Sequence, residues 1–279
     1  MQRKFMAYGN IYLCSNIQGN FMRLNILETG IARDLLYNRY REPYASKAFM
    51  PMLAPEDIVV DIGANIGYYA LQEARIATKV FAIEPNLDSV KQLNANICQC
   101  ELSHIIQVSQ MAIGDFNGTA TLNITDESNL CSLSADRRHG STCDVPISTL
   151  DNFMEGRPYP SVVRMDVEGH EYEIVKGMTG ILAQDKPLVL FIELHLEILG
   201  GRVKELARIL KDAGFEVISA SVEPHPAVMR FKLGAKLTAL CDKQIGAPQG
   251  YISLTIDDLI NNELYSSGQI EWLEVIFRR

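Results

Sequence analysis

The chain has 279 residues, 47% hydrophobic and 22% charged, with a formal net charge of -8. That length supports one large core, and the acidic balance argues against a nucleic-acid ligand, whose phosphate backbone requires basic surface. No stretch approaches the ~18 to 20 apolar residues of a membrane span. Met1-Gln2-Arg3-Lys4 leads into Tyr8-Gly9-Asn10 instead of an apolar segment, so no secretory signal and a cytoplasmic location are expected.

Strand and helix patterns alternate from about Asp57 onward, the signature of a doubly wound, mostly parallel α/β sheet. Ile58 to Ile62 is expected to be a fully buried strand and Ile66 to Ala77 the helix after it. Lys79 to Glu84 is the next strand, followed by a helix with Leu87, Val90, Leu93 and Ile97 on one face and Asn86 as its N-cap. His104 to Ser109 is a third strand. Gly118 to Ile124 and Cys143 to Leu150 flank a polar loop and predict an inserted hairpin. The alternation resumes with a strand over Ser161 to Val167, a helix from His170 and a strand over Pro187 to His195. An amphipathic helix carrying Val203, Leu206, Ala207 and Leu210 comes next. Phe215 to Val222 and Ile270 to Phe277 complete the strands, and the apolar end of the last one, Trp272 to Phe277, suits pairing within the sheet or across a homodimer. Prolines and glycines punctuate Glu223 to Ser267, which predicts irregular structure with one short helix near Asp257 to Asn262. Residues 1–50 are expected to form an N-terminal arm or cap on a Rossmann-like domain over 51–279, with 117–150 and 223–267 as substrate-side additions. The six cysteines (Cys14, Cys98, Cys100, Cys131, Cys143 and Cys241) lack metal-type spacing and are expected as free thiols; Arg137-Arg138-His139 is expected to be a solvated loop.

Val59-Val60-Asp61-Ile62-Gly63-Ala64-Asn65-Ile66-Gly67 joins a strand to a helix through an acid and two glycines, the arrangement of a nucleoside site. A dinucleotide fingerprint would need glycines where Asn65 and Tyr68 stand, which disfavours a pyrophosphate. Asp61, Gly63, Asn65 and Gly67, with a second acid, Glu84, ending the next strand, fit S-adenosylmethionine better. Glu84 has the position to accept both ribose hydroxyl protons. Gln110, Met111 and Ala112 end the third strand and are candidates to flank the adenine. Tyr40-Arg41-Glu42-Pro43-Tyr44 is placed to close over the donor, and Tyr68 and Tyr69 either line the cleft or pack beneath it.

Together with Ile83-Glu84-Pro85, Ser148-Thr149-Leu150-Asp151, Met165-Asp166-Val167-Glu168-Gly169-His170-Glu171 and Phe191-Ile192-Glu193-Leu194-His195, the glycine turn resembles the FkbM family of S-adenosylmethionine-dependent methyltransferases. The resemblance runs from about Glu42 to His195. It implies a seven-stranded sheet of the class I methyltransferase type and methylation of hydroxyl groups on macrolides, glycolipids and other glycans. Arg164 stands where many members have lysine, which keeps the charge but changes the donor geometry.

Methyl transfer from a sulfonium needs mainly positioning and a way to remove the acceptor's proton. Asp166, Glu168, His170, Glu193 and His195 are the candidate catalytic groups. Arg164, Asp166 and Glu168 share one side while the segment stays extended, and Glu193 shares a face with His195. His170 or His195 is the expected base, because imidazole titrates nearest neutral pH. Asp166 would orient donor or acceptor, and Glu168 and Glu193 would hold the hydroxyl or orient a histidine. Asp166, Glu168, Glu193 and His195 also suit a divalent cation, although the metal-free reading is preferred. His170 as a helix cap, and Glu171 and Glu173 as acids at the helix's positive end, are the structural alternatives. The expected protein is therefore an O-methyltransferase for a small-molecule or glycan acceptor. A non-catalytic binder of the same nucleoside, an N- or carboxyl-directed methyltransferase and, last, a nicotinamide oxidoreductase are the alternatives.

Overall fold

The computed structural model describes residues 6–8, 12–28, 30–125, 131–133, 140–222, 250–267 and 270–279. Arg137-Arg138-His139, Cys241 and 223–249 lie outside them. The chain opens with β1 (Met6–Tyr8), β2 (Tyr12–Ile17) and β3 (Asn20–Asn25), an antiparallel sheet, then α1 (Ile31–Asn38) and α2 (Pro43–Phe49). The alternating part follows as β4 (Ile58–Ile62), α3 (Tyr68–Glu73), β5 (Lys79–Ile83), α4 (Leu87–Gln99) and β6 (Ile106–Ser109). A second small sheet is built from β7 (Ala112–Gly114), β8 (Gly118–Ile124) and β9 (Ser141–Thr149). Then come α5 (Leu150–Met154), β10 (Val162–Met165), α6 (Glu171–Lys176), α7 (Thr179–Leu182), β11 (Val189–Leu194), α8 (Leu196–Leu199), α9 (Arg202–Asp212), β12 (Glu216–Ser221), α10 (Ile256–Asn261) and β13 (Leu273–Arg278).

Seven strands form the central sheet in the order β12-β13-β11-β10-β4-β5-β6. The pairs from β11 to β6 are parallel, and β13 runs antiparallel to both of its neighbours. The last apolar strand thus pairs within the sheet. Strand order reverses beside β4, so the carboxyl ends of β4 and β10 open a crevice of the kind that holds ligands in such folds.

The strands are apolar on both sides because both faces are covered. Val60, Phe81, Leu190 and Val275 point into the core shared with the helices α5 to α10. Their neighbours Val59, Val80, Phe191 and Ile276 point into the opposite core, with α3 and α4. Residues of the N-terminal segment, including Met22, Leu24, Leu35 and Phe49, belong to that second core. Phe49 stacks 4.7 Å from Phe191, measured between ring centroids.

Local expectations are met where short-range chemistry decides. Asn86 caps α4 by accepting from the backbone of Asp88 and Ser89, and β8 and β9 form the antiparallel hairpin. Val203, Leu206, Ala207 and Leu210 are all buried on α9. Several elements are shorter than their patterns, two of them for a visible backbone reason. Helix α3 starts only after Gly67, whose φ of 95° is left-handed, and ends in tight turns from Arg75 to Gln72 and from Ile76 to Glu73. Strand β10 stops at Met165, since Glu168 and Gly169 turn the chain with φ of 54° and 97°. Alternation therefore does not carry Glu168 to the side of Arg164; the turn does. Among the described residues, five cysteines are free.

Candidate active site

A cleft lies over the carboxyl ends of β4, β5 and β10. Its floor is the glycine turn. A Cβ at Gly63 would sit 2.0 Å from the carbonyl oxygen of Asp166, so only glycine lets the turn lie against the end of β10. Gly67 is away from the cleft wall and allows the turn to pack on Leu93, whose Cδ1 would be 2.7 Å from an added Cβ.

Glu84 is the central group of the nucleoside end. Its Oε2 accepts from the Asn65 backbone at 2.9 Å and its Oε1 from the Asn86 backbone at 2.8 Å, and the side chain is buried. Burial pushes its pKa up to about 7, against the lowering effect of those two N–H groups. A carboxylate has about four acceptor positions, so two remain for a ribose diol. Gly63, Asn65 and Glu84 line the cleft together with Met111, Ala112, Cys131 and Leu133. Gln110 is exposed and outside the wall. The inserted hairpin reaches over this end: Asn86 donates to Cys131 Sγ at 3.2 Å, and the Ser132 hydroxyl donates to the Glu168 carbonyl at 2.7 Å. Donor-rich ribose, apolar walls for a purine and a narrow glycine turn together fit S-adenosylmethionine.

Asp61 lies behind the wall. It is fully buried, and its Oδ1 receives Arg164 Nη1 at 2.9 Å, while Nη2 of the same guanidinium reaches Asp166 Oδ2 at 3.2 Å. The register places Arg164 directly beside Asp61 on adjacent strands. Arg164 stacks 3.9 Å over the Tyr69 ring. Burial disfavours its charge, but Asp61 and Asp166 more than compensate and hold it firmly cationic. Glu73, also wholly buried, is pushed well above the carboxylate range by burial and by Asp61.

Asp166, Glu168 and His170 line the cleft, whereas Glu193 and His195 stand one layer behind. His195 Nδ1 is 2.7 Å from Glu171 Oε1, and its Nε2 is 3.4 Å from Glu168 and 3.8 Å from Glu193. Burial opposes its charge, yet Glu168 and Glu171 raise its pKa well above the usual imidazole value. His195 is thus an imidazolium at neutral pH. His170 behaves oppositely: burial lowers its pKa despite Glu173 at 3.7 Å, leaving a neutral ring. It occupies the N-cap position of α6 without a side-chain cap bond. Burial and Asp166 push Glu193 well above the carboxylate range. Asp166, Glu168 and His195 bring ligand atoms within 4.8 Å of one another, as do Glu42, Asp166 and Glu193. A cation in the first group would have to displace the ring proton of His195.

Three residues that sequence reasoning left at the margin enter the site. Glu171, read as an acid at a helix's positive end, is fully buried and bonded to His195 and to the Gly169 backbone at 3.0 Å. Arg41 and Glu42, from the arm, line the cleft, and the Tyr69 hydroxyl donates to Glu42 at 2.8 Å. Acidity beside a motif histidine was the available signal for Glu171; Glu42 was marked only through the Tyr40–Tyr44 segment that contains it.

The six parallel strands with an antiparallel seventh, and a buried acid and glycine turn at the switch point, define a class I methyltransferase fold. Within that class, residues 61–217, more than half of the chain, match the model of the Methyltransferase FkbM domain, and the chain belongs to that family. Hexuronic acid methyltransferase AglP of Haloferax volcanii is 30% identical over 162 residues, 57% of this chain and 63% of that protein. The chain thus spans somewhat under two thirds of that relative. A Pyrococcus horikoshii structure described as a transferase is 13% identical, with a TM-score of 0.50 over 97% of this chain and 72% of the other. The methyltransferase FkbM of Methylobacillus flagellatus is 17% identical, with a TM-score of 0.47 over 68% of this chain and 47% of the other. No described helix is long and apolar enough to cross a membrane.

Proposed function

We propose that the chain transfers a methyl group from S-adenosylmethionine to a hydroxyl of a glycan, glycolipid or secondary metabolite, with a glycan first. The observation that carries this reading is the adjacency of Asp166, Glu168 and His170 to Glu84 and Asn65 in one cleft. The relative named for a hexuronic acid supports a sugar acceptor. When bound, S-adenosylmethionine supplies an electrophilic methyl group. Gly63, Asn65 and Glu84 hold the nucleoside, and Met111 and Ala112 give the base an apolar wall. Asp166, fixed by Arg164, orients the acceptor, and His170, neutral and on the wall, takes its proton. His195 holds Glu168 and Glu171 in place. The additions over 117–150 and 223–267, with the N-terminal arm over 1–50, are assigned to the acceptor side.

Incubation with methyl-labelled S-adenosylmethionine and fractionated cell extract tests the proposal. Label is expected in glycan or glycolipid, stable to mild alkali as an ether. Alkali-labile label would make the enzyme carboxyl-directed, and label in protein alone would sink the hydroxyl reading. Bound donor with no label in any fraction would favour the non-catalytic alternative.

His170→Gln is expected to lower turnover by about 10²-fold, at the low end for loss of a general base, with donor affinity retained. The parent should lose turnover on the acid side, below the ordinary imidazole pKa of about 6.5, because His170 is lowered. A variant with parental turnover would pass the role of base to another group.

A further inference from the structure

Glu73 ends α3 with no exposed surface and lies outside the cleft. On the same stripe of the helix, one turn back, are Tyr69, whose ring carries the Arg164 guanidinium at 3.9 Å, and Ala70, whose backbone N–H lies beside Asp61. A helical side chain leans back over the preceding turn, so the carboxyl of Glu73 is directed at the Asp61–Arg164 pair. Those two are the charged groups that act on it. Asp61 opposes its ionisation and Arg164 favours it.

Acceptors outnumber donors here. Both Glu73 oxygens and Asp61 Oδ2 are buried without a hydrogen-bond partner among the described residues, while Asp61 Oδ1 accepts from Arg164 Nη1 at 2.9 Å. A buried acceptor without a donor is costly, and two buried carboxylates side by side repel each other. One proton removes both costs: a protonated Glu73 is neutral, and its O–H donates to the open oxygen of Asp61. The proton belongs on Glu73 because Arg164 bonds Asp61 directly and stabilises its charge. An ionised Glu73 would add a third carboxylate to one guanidinium and draw it away from Asp166, the one of the three acids on the cleft wall.

We propose that Glu73 keeps a proton that it shares with Asp61 Oδ2, and that it is a positioning residue for Asp166. The shared proton fixes Asp61, Asp61 holds Arg164 Nη1, and Nη2 of the same planar group holds Asp166 over the cleft at 3.2 Å. Loss of the donor at Glu73 leaves Asp61 with an unsatisfied buried oxygen, which Arg164 satisfies by turning from Asp166. An apolar side chain of the same length would fill the site without this hydrogen bond, so packing alone does not call for an acid. The positioning role rests on the methyl-transfer reading above; the proton does not.

Infrared spectroscopy of the full chain at neutral pH reads the proton. The parent-minus-Glu73→Gln difference spectrum is expected to show the C=O stretch of one protonated carboxyl, shifted in ²H₂O; carboxylate bands in its place overturn the inference. Turnover reads the positioning, with methyl-labelled S-adenosylmethionine and the extract fraction that the parent labels. Glu73→Met, of similar length but without a donor, should lower kcat about tenfold and leave the KM for S-adenosylmethionine unchanged, since Asp166 loses its fixed place and the nucleoside end does not. Glu73→Gln, whose amide N–H still donates to Asp61, should keep kcat within about threefold of the parent. Glu73→Leu stands in for a Met variant that does not fold. Parental kcat in a folded apolar variant, or equal losses in the apolar and Gln variants, overturns the positioning role. A protonated-carboxyl band with donor bound but no methyl transfer by the parent supports the shared proton, and overturns the methyl-transfer reading and the positioning role with it.

Discussion

Glu84→Gln is expected to weaken S-adenosylmethionine binding by about 10²-fold, the largest effect of any single substitution on the donor site. A hydrogen bond to a charged group contributes about 1.5–3 kcal/mol, and Glu84 has room for both ribose hydroxyls. The amide also turns one acceptor into a donor. Whichever way it lies, its NH₂ meets the N–H of Asn65 or of Asn86, both now satisfied by the carboxylate. Calorimetry on parent and variant measures the loss; affinity within threefold of the parent would remove Glu84 from the donor site. The pH dependence has a definite sign. Burial raises the folded-state pKa of Glu84 to about 7, above the unfolded value. Without donor, the folded chain therefore loses stability as pH rises from the unfolded pKa toward 7, where the unfolded chain ionises first. The donor needs the ionised form, so its affinity should rise as pH climbs to about 7 and fall by up to about tenfold per unit below that. A flat affinity profile between pH 5 and 8 would contradict this assignment.

Arg164→Met is expected to destabilise the fold by about 3–5 kcal/mol, the usual result of stranding one member of a buried ion pair. Asp61 has no exposed surface and would lose its guanidinium partner, with Glu73 nearby and also unable to ionise freely. Stacking on Tyr69 would be lost as well. Urea unfolding measures the change as a lower midpoint at constant slope. Adding Asp61→Asn should recover part of the loss, because the buried charge is then gone, and a double-mutant cycle gives the coupling. A single-variant loss under about 1 kcal/mol would mean that Asp61 finds another counter-charge. The pair thus ties β4 to β10 beneath the cleft and keeps Asp166 oriented above it.

Most of the central sheet was legible because its information is short-ranged. Apolar runs such as Ile58 to Val60 and Val189 to Ile192 have no polar face to misplace, and Asn86 caps a helix through its own neighbours. The candidate site was legible in part. Glu84, Gly63 and Asn65 reach the cleft from the turn that marks them, and Asp166 and His170 reach it from their own strand end. Asp61 is the instructive case: its position at a strand terminus suggested a ligand contact, yet the neighbouring strand places Arg164 beside it and the pair closes inward. Gln110 shows the same limit in a smaller way, since one residue separates an exposed side chain from Met111 on the cleft wall.

By itself, the order of residues determined the class of fold, the strand-turn-helix unit for a nucleoside and the family motifs, because each depends on spacing within a few residues. Only the tertiary structure decided how burial shifts the two histidines and which acids meet at the cleft. His195 is charged because Glu168 and Glu171 converge on it in a buried layer, and His170 is neutral because burial outweighs Glu173. Glu42 joins Asp166 and Glu193 across more than a hundred residues of chain. Protonation and convergence are properties of burial and distance between remote segments, and no local spacing encodes them.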